Sequence, residues 1–211
     1  MINTGAMSDI NNENLKSLKD FEGKDIVVPF RSDMPDIVLK ELLKAQGIKA
    51  NLSYVSNPID AMQQIIMGRA DHALLAEPAI SMALRKTGSF PLKVVAPTLF
   101  RSADLQKEWA KTFNTDNKMP QAGMAVLGKK ESKLIKRFND EYKKALEWYK
   151  ANPKEAGVEI AKALPMLDAD AIADSIKYVT LENVNATESK ERLNKFLEVL
   201  MKSEPKLIGK M

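Results

Sequence analysis

Cysteine is absent from the 211 residues, and histidine occurs once, at His72. The first absence excludes disulfides, thiolate metal sites and a cysteine nucleophile. The second leaves no familiar zinc site, because His72, in the run DHALLAEP, has neither a second histidine nor a cysteine nearby. A lone histidine at a strand start is expected to be structural or on the surface. The chain also lacks a G-x-S-x-G elbow, a G-x-x-x-x-G-K-S/T loop and a G-x-G-x-x-G fingerprint. Nucleotide hydrolysis and nicotinamide chemistry are therefore poor readings. No apolar run approaches the ~18 residues of a membrane span. Charge is not one-sided either, since 32 basic and 28 acidic residues are interleaved for a net +4. Without an aromatic-studded basic stripe, nucleic acid is not an expected partner, and a lysine-rich solvated surface accounts for the excess. The opening residues, Met1 to Asp9, lack a charged, apolar and cleavable leader, so no export address is expected within this sequence.

What remains is an ordinary globular composition, 45% apolar and 28% charged, long enough for one large or two small domains with a real core. Four stretches are distinguished. Residues 1–23 are polar and asparagine-rich and are expected to form a loop leading into a short helix or turn at LKSLKDFEGK. Residues 24–98 carry an α/β pattern. Residues 99–118 are expected to be a connection, polar from Arg101 to Lys118, with Trp109 and Phe113 on a short helical pattern. Residues 119–211 hold one apolar run, AGMAVLG, and then a largely helical tail.

The α/β pattern is the strongest signal. Four short apolar runs, DIVVPF, NLSYVS, HALLAEP and LKVVAP, alternate with three amphipathic segments. Continuous runs rich in β-branched residues suit strands buried on both faces, and helical-period segments between them suit crossover helices. The fold class predicted is α/β, a parallel, doubly wound sheet with right-handed connections. Asp33 is the predicted N-cap of the first helix, with Asp36 as an imperfect capping box and Pro35 in the first turn. Met34, Ile37, Val38, Leu42 and Leu43 then share one face until Gly47. The second helix starts near Pro58 and is expected to bury Ile59, Met62, Ile65 and Ile66. The third runs from Ala79 to Lys86 and ends at Gly88.

In the tail, Leu134, Ile135, Phe138, Tyr142, Leu146 and Tyr149 recur at helical spacing from Ser132 to Tyr149, and Asn152-Pro153 stops that helix. Further helices are expected from Pro153 to Leu164, Asp168 to Val179 and Ser189 to Lys202. One apolar run is too little sheet to cover so many amphipathic faces. Leu134, Phe138, Leu146, Ile160, Ile176, Leu193 and Phe196 are thus expected to be uncovered, and the chain either to self-associate or to protect its tail amides poorly while Ile26 to Val95 stays protected.

Doubly wound sheets place ligands at the carboxyl ends of their strands. Those ends carry Pro29 to Met34, Ser56-Asn57-Pro58 and Ala76-Glu77-Pro78. Arg31, Ser32 and Asp33 offer a guanidinium, a hydroxyl and helix-terminal N–H groups, although Asp33 and Asp36 argue against an exclusively anionic ligand. Glu77 has two readings that the sequence leaves level, a ligand contact at a strand tip or a first-turn acid stabilised by the helix dipole.

Three motifs then carry a resemblance: LKSLKDFEGKDIVVPFRSDMPDIVLKELLKAQGI, NPIDAMQQIIMGRADHALLAEP, and MPQAGMAVLGKKE followed by a helix ending in ANPKEA. Together, over most of Leu15 to Ala156, they resemble the substrate-binding proteins of ABC importers in the nitrate, sulfonate, taurine and thiamine-precursor group, which have the type II periplasmic binding fold. The resemblance implies two α/β lobes around a ligand cleft, with residues 24–98 as the second lobe and 119–211 returning to the first, mostly as helices. Carried over motif by motif, the ligand contacts would be Arg31, Ser32, Asp33, Met34, Asn57 and Glu77, with Gln121 beside the crossover. The family takes small sulfonates, oxyanions, pyrimidines and other metabolites. Ala76 stands where its sulfonate and nitrate binders often have an aromatic residue, so no particular anion is favoured. The implied partners are a small-molecule ligand and an ABC permease in the membrane, with a periplasmic or lipid-anchored extracytoplasmic location and no cofactor or metal. The family also has further strands before the LKDFEGK motif, where this sequence has residues 1–23, so a chain lacking part of the first lobe is expected.

Three functions compete. A solute-binding component explains polar strand tips without catalytic groups. An enzyme on the same fold, such as a chorismate dehydratase-like menaquinone enzyme or a pyrimidine-precursor synthase, would use Glu77 or His72 as acid or base. An effector-sensing regulator would need an attached helix-turn-helix, and none is visible. Fold alone does not choose among them.

Overall fold

The computed structural model describes residues 4–10, 14–120, 122–129, 131–203 and 205–208. They divide into two units, within Asn3–Met119 and Pro120–Met211.

The first unit holds five strands, β1 (Thr4–Ile10), β2 (Asp25–Pro29), β3 (Asn51–Val55), β4 (His72–Ala76) and β5 (Leu99–Asp104). Its helices are α1 (Met34–Gln46), α2 (Pro58–Ile66), α3 (Ala79–Gly88), α4 (Leu92–Val95) and α5 (Leu105–Phe113), with a 3-10 turn at Leu18–Phe21. The strands form one sheet in the order β3-β2-β4-β1-β5. Its parallel part is β3-β2-β4, with Val27 opposite Ser53 on one side and Ala73 on the other. As the apolar runs predict, Ile26, Val28, Leu74 and Leu75 are buried. Above them, α1 buries Ile37, Val38, Leu39, Leu42 and Leu43, and it ends at Gly47 in the left-handed region (φ 69°), where the missing Cβ removes the usual penalty.

Three expectations are corrected here. LKVVAP is no strand; Leu92–Val95 make a single helical turn, α4. The stretch expected as an N-terminal loop instead contains β1, and the expected connection contains β5. The physical reason lies in sheet edges. The free edge of β4 is taken by β1, antiparallel, with Met7 opposite Leu74 and Ser8 opposite Ala73; β5 then pairs antiparallel to β1, with Ile10 opposite Leu99. The sheet is therefore mixed, with a parallel three-stranded part, rather than parallel throughout. A fourth expectation also fails in part, since Ile59 is exposed and Ile66 only half-buried on α2.

The second unit holds α6 (Ser132–Ala151), α7 (Pro153–Ala163), α8 (Ala169–Ser175), α9 (Lys190–Ser203) and α10 (Pro205–Ile208). Residues 122–128, the AGMAVLG run, form no strand, and Met124, Val126 and Leu127 are exposed. Helix α7 packs closely on α8, where a Cβ on Gly157 would clash with the Ala169 carbonyl oxygen. Only a residue without a side chain permits that approach. Ala156, Ala171, Ile172, Phe196 and Leu200 are buried. Phe196 thus departs from the expected uncovered face, whereas Leu134 and Phe138 match it at 57% and 54% exposed.

Candidate functional site

The site begins with the loop from β2 into α1. Phe30 and Ser32 both adopt left-handed backbone conformations (φ 54° and 66°), uncommon for residues with a Cβ and held only where the surroundings fix them. The Val55 carbonyl accepts from Phe30 N–H at 3.0 Å, and Asp36, in the first turn of α1 and fully buried, holds Ser32. Its Oδ2 accepts from the Ser32 backbone N–H at 2.7 Å and from Lys40 Nζ at 2.7 Å, and its Oδ1 accepts from the Tyr54 hydroxyl at 3.1 Å. Tyr54 belongs to β3, so one carboxylate ties loop, helix and neighbouring strand together. Asp36 was expected as a capping-box acid; it is instead the loop's anchor.

Charge at this corner is balanced. Desolvation is the largest influence on Lys40 and pulls its pKa down, but hydrogen bonds and attraction from Asp36 and Tyr54 outweigh it and leave the group above its ordinary value. The Arg31 guanidinium lies 5.1 Å from the centre of the Tyr54 ring, within cation–π range. Arg31, Ser32 and Asp33 are exposed and Met34 is half-buried. Asp33 caps α1, its Oδ1 accepting from Met34 N–H at 2.8 Å. Asn57 caps α2, accepting from Asp60 N–H and donating to the Asp60 carboxylate, both at 2.9 Å.

Between these helix starts and the strand ends lies a pocket of about 180 Å³ lined by Pro29, Phe30, Asp33, Pro35, Pro58, Leu74, Leu75 and Ala76. The lining is apolar except for one carboxylate, Asp33. Of the residues predicted from the sequence, Asp33 lines the pocket, while Asn57 and Glu77 are each next in the chain to a lining residue. Arg31 and Ser32 belong to the loop that forms its edge, and Met34 opens α1 directly after it. Gln121 lies outside the described residues. Ala76 contributes a small side chain, which leaves the pocket room.

Glu77 is turned to other partners. It is 7% exposed; Oε1 is paired with the Arg101 guanidinium, and Oε2 accepts from Ser81 N–H at 3.1 Å. Arg101 also donates to the Ser81 hydroxyl at 2.8 Å. The cluster fastens β5 to the start of α3. Sequence reading did not single out Arg101, because a cation inside LFRSAD looks like loop chemistry until its carboxylate, 24 residues earlier, is known. Tyr54 and Lys40 were likewise missed; the only sequence signal for them is a polar-tipped aromatic in a strand, and a lysine one turn beyond Asp36. His72 begins β4, two residue steps or roughly 7 Å before Leu74, the first residue of that strand to line the pocket. It is buried edge-on against the Phe21 ring, with centroids 5.1 Å apart. Among the described residues no three His, Asp or Glu side chains gather as a metal site, and no helix is long and apolar enough to cross a membrane.

The arrangement is suited to holding a small solute by shape and a few polar groups, with Glu77 and His72 both engaged away from the pocket. Solved structures share the fold. An ABC transporter protein from Parabacteroides distasonis aligns with a TM-score of 0.73 at 23% identity, over 98% of this chain and 67% of that one. The periplasmic aliphatic sulphonate binding protein SsuA from Escherichia coli aligns with a TM-score of 0.59 at 17% identity, over 98% of this chain and 62% of that one. The ligand-binding component of an ABC-type import system from Staphylococcus aureus gives 0.56 at 14% identity, over 95% and 63%. The chain thus spans about two thirds of the length of these proteins. No curated protein matches it. A sequence model of the family described as NMT1/THI5 like matches residues 2–156, a span that takes in every strand among the described residues and the whole strand-tip pocket, and the chain belongs to that family.

Proposed function

We propose that this protein is the solute-binding component of an ABC importer, capturing a small polar organic solute at the strand-tip surface and delivering it to a membrane permease outside the cytoplasm. The observation that carries the reading is the strained Phe30–Asp33 loop, clamped by buried Asp36 beside a pocket at the carboxyl ends of β2 and β4. Strain of this kind is retained where geometry matters, and strand ends are where this class of sheet takes ligands. Arg31, Ser32, Asp33, Met34 and Asn57 are the proposed contacts, with Gln121 a further one. Glu77, predicted with them, is proposed to act from behind the surface by fixing Ala76 and α3.

The mechanism is one of binding. The apolar lining takes the solute's carbon skeleton, the Asp33 carboxylate and the N–H groups of the helix starts orient its polar groups, and Arg31 is held over Tyr54 at the edge. The enzyme alternative requires an acid or base poised at the pocket, and the partners of Glu77 and the place of His72 favour binding. A thermal-shift screen of small sulfonates, oxyanions and heteroaromatic metabolites tests this: a true ligand at about 100 times its Kd adds about 2.7 kcal/mol of stability. The bound compound should be recovered unaltered. Recovery of a changed product, lost on replacing His72 or Glu77, would favour the enzyme.

A further inference from the structure

We propose that the turn formed by residues 88–96 is a docking element for an anionic lipid surface. Phe90, Val94 and Val95 are 85%, 76% and 78% exposed, within six residues of one another on the same turn. Their exposure does not come from a loose chain. Ser89 N–H donates to the Lys86 carbonyl at 3.3 Å, Lys93 N–H to Ser89 at 2.8 Å, Val94 N–H to Pro91 at 3.2 Å and Ala96 N–H to Leu92 at 2.7 Å. Leu92 is half-buried and α4 packs on α3. An ordered backbone therefore presents an aromatic and two β-branched side chains to solvent, the sort of patch that marks an interaction surface.

The charge around it selects the partner. Arg85, Lys86 and Lys93 are all exposed on the same turn and the helix end that leads into it. No acidic residue occurs between Glu77 and Asp104, and Glu77 is itself paired with Arg101. An apolar tip flanked by exposed Lys86 and Lys93 matches the interface of an anionic bilayer, where apolar side chains enter the headgroup boundary and cations meet the surface potential. A second copy of the chain fits poorly. A two-fold contact would place the same patch against itself and bring the two sets of flanking lysines together. This surface is independent of the solute-binding reading, and either stands if the other fails.

The test is co-sedimentation of the full 211-residue chain with vesicles of phosphatidylcholine alone and of phosphatidylcholine mixed equally with phosphatidylglycerol. The chain is expected to bind the anionic vesicles, not the neutral ones, and to be released at about 1 M salt, where the Debye length falls to about 3 Å. K86E/K93E is expected to partition at least about 25-fold more weakly, since each basic residue near such a surface is worth about fivefold. F90S/V94S/V95S should abolish binding. Circular dichroism of both variants keeps misfolding distinct from loss of the surface, and the salt and lipid dependence of the unaltered chain needs no variant. Absence of binding to anionic vesicles at low salt, equal binding to neutral ones, or binding unchanged in both folded variants would overturn the proposal. So would a concentration-dependent dimer, removed by F90S/V94S/V95S, in a chain that ignores vesicles.

Discussion

Helices α1 and α6 carry the same kind of amphipathic pattern and are treated differently by the structure. The 13 residues of α1 bury five apolar side chains and the carboxylate of Asp36, whereas none of the 20 residues of α6 is buried. Amphipathic period decides that a segment is helical and which stripe it offers; burial depends on what the rest of the fold brings to that stripe. Around α1 the neighbours are specific. It packs with α5, where Gln46 Nε2 donates to Glu108 Oε2 and Thr112 Oγ1, both at 2.8 Å. That rigidity has a functional consequence, because a left-handed Ser32 needs a fixed Asp36 to hold it. The region around α1 can store backbone strain, and the exposed face of α6 has no means to do so.

The largest expected effect separates these two helices directly. Leu39→Ala in α1 removes a fully buried side chain and is expected to cost about 2–5 kcal/mol. Leu134→Ala in α6 should stay within about 0.5 kcal/mol. Urea denaturation monitored by circular dichroism checks both, and equal losses would break the comparison. Next comes Glu77→Gln. It leaves the mostly buried Arg101 guanidinium without its counter-charge, and the same measurement should show a loss of about 3 kcal/mol. A stability left unchanged, with solute affinity reduced, would instead make Glu77 a direct ligand contact.

Gly157→Ala asks whether the second unit has any close-packed place of its own. The added Cβ would meet the Ala169 carbonyl, a backbone atom that cannot rotate away, so a cost of roughly 1–3 kcal/mol is expected, visible as faster amide exchange in α7 and α8. The smallest effect is shared by both regions. Lys40 on α1 and Tyr149 on α6 are both held above their ordinary values, Tyr149, which is half-buried, by partial desolvation that outweighs its hydrogen bond to Ser175. The folded chain then holds these protons more tightly than the unfolded one. The stability they add is whole below the ordinary values of 10.0 for Tyr149 and 10.5 for Lys40, and is lost as pH rises through the folded-state values. Thermal melts should be little changed by these groups up to pH 9 and fall at higher pH, less steeply in Lys40→Met.

Much of the first unit was legible because its signals are local. The runs DIVVP, NLSYV and HALLA become β2, β3 and β4, and Asp33 and Gly47 mark the ends of α1 as their chemistry requires, whereas the capping role of Asn57 at α2 was not anticipated. What escaped is non-local. A strand such as LFRSAD is defined by the edge it joins and by a counter-charge on another element, and neither is written in its own six residues. LKVV has the β-branched composition of a strand, but Pro91 and Pro97 bracket it and β1 fills the place beside β4, so it closes into a turn. At the site, the strand-tip positions were readable from the α/β pattern. The clamp was not, because Asp36, Lys40 and Tyr54 meet only when β3 is laid beside β2 in register, with Val28 opposite Tyr54.

The central claim is that the strand-tip pocket receives the solute. Isothermal titration of Ala76→Phe, with the compound giving the largest thermal shift, tests it most directly, since the added ring would occupy the pocket of about 180 Å³. At least about a tenfold loss of affinity, about 1.4 kcal/mol or more, is expected, with a melting temperature close to that of the unaltered chain. Unchanged affinity in a folded Ala76→Phe protein would contradict it.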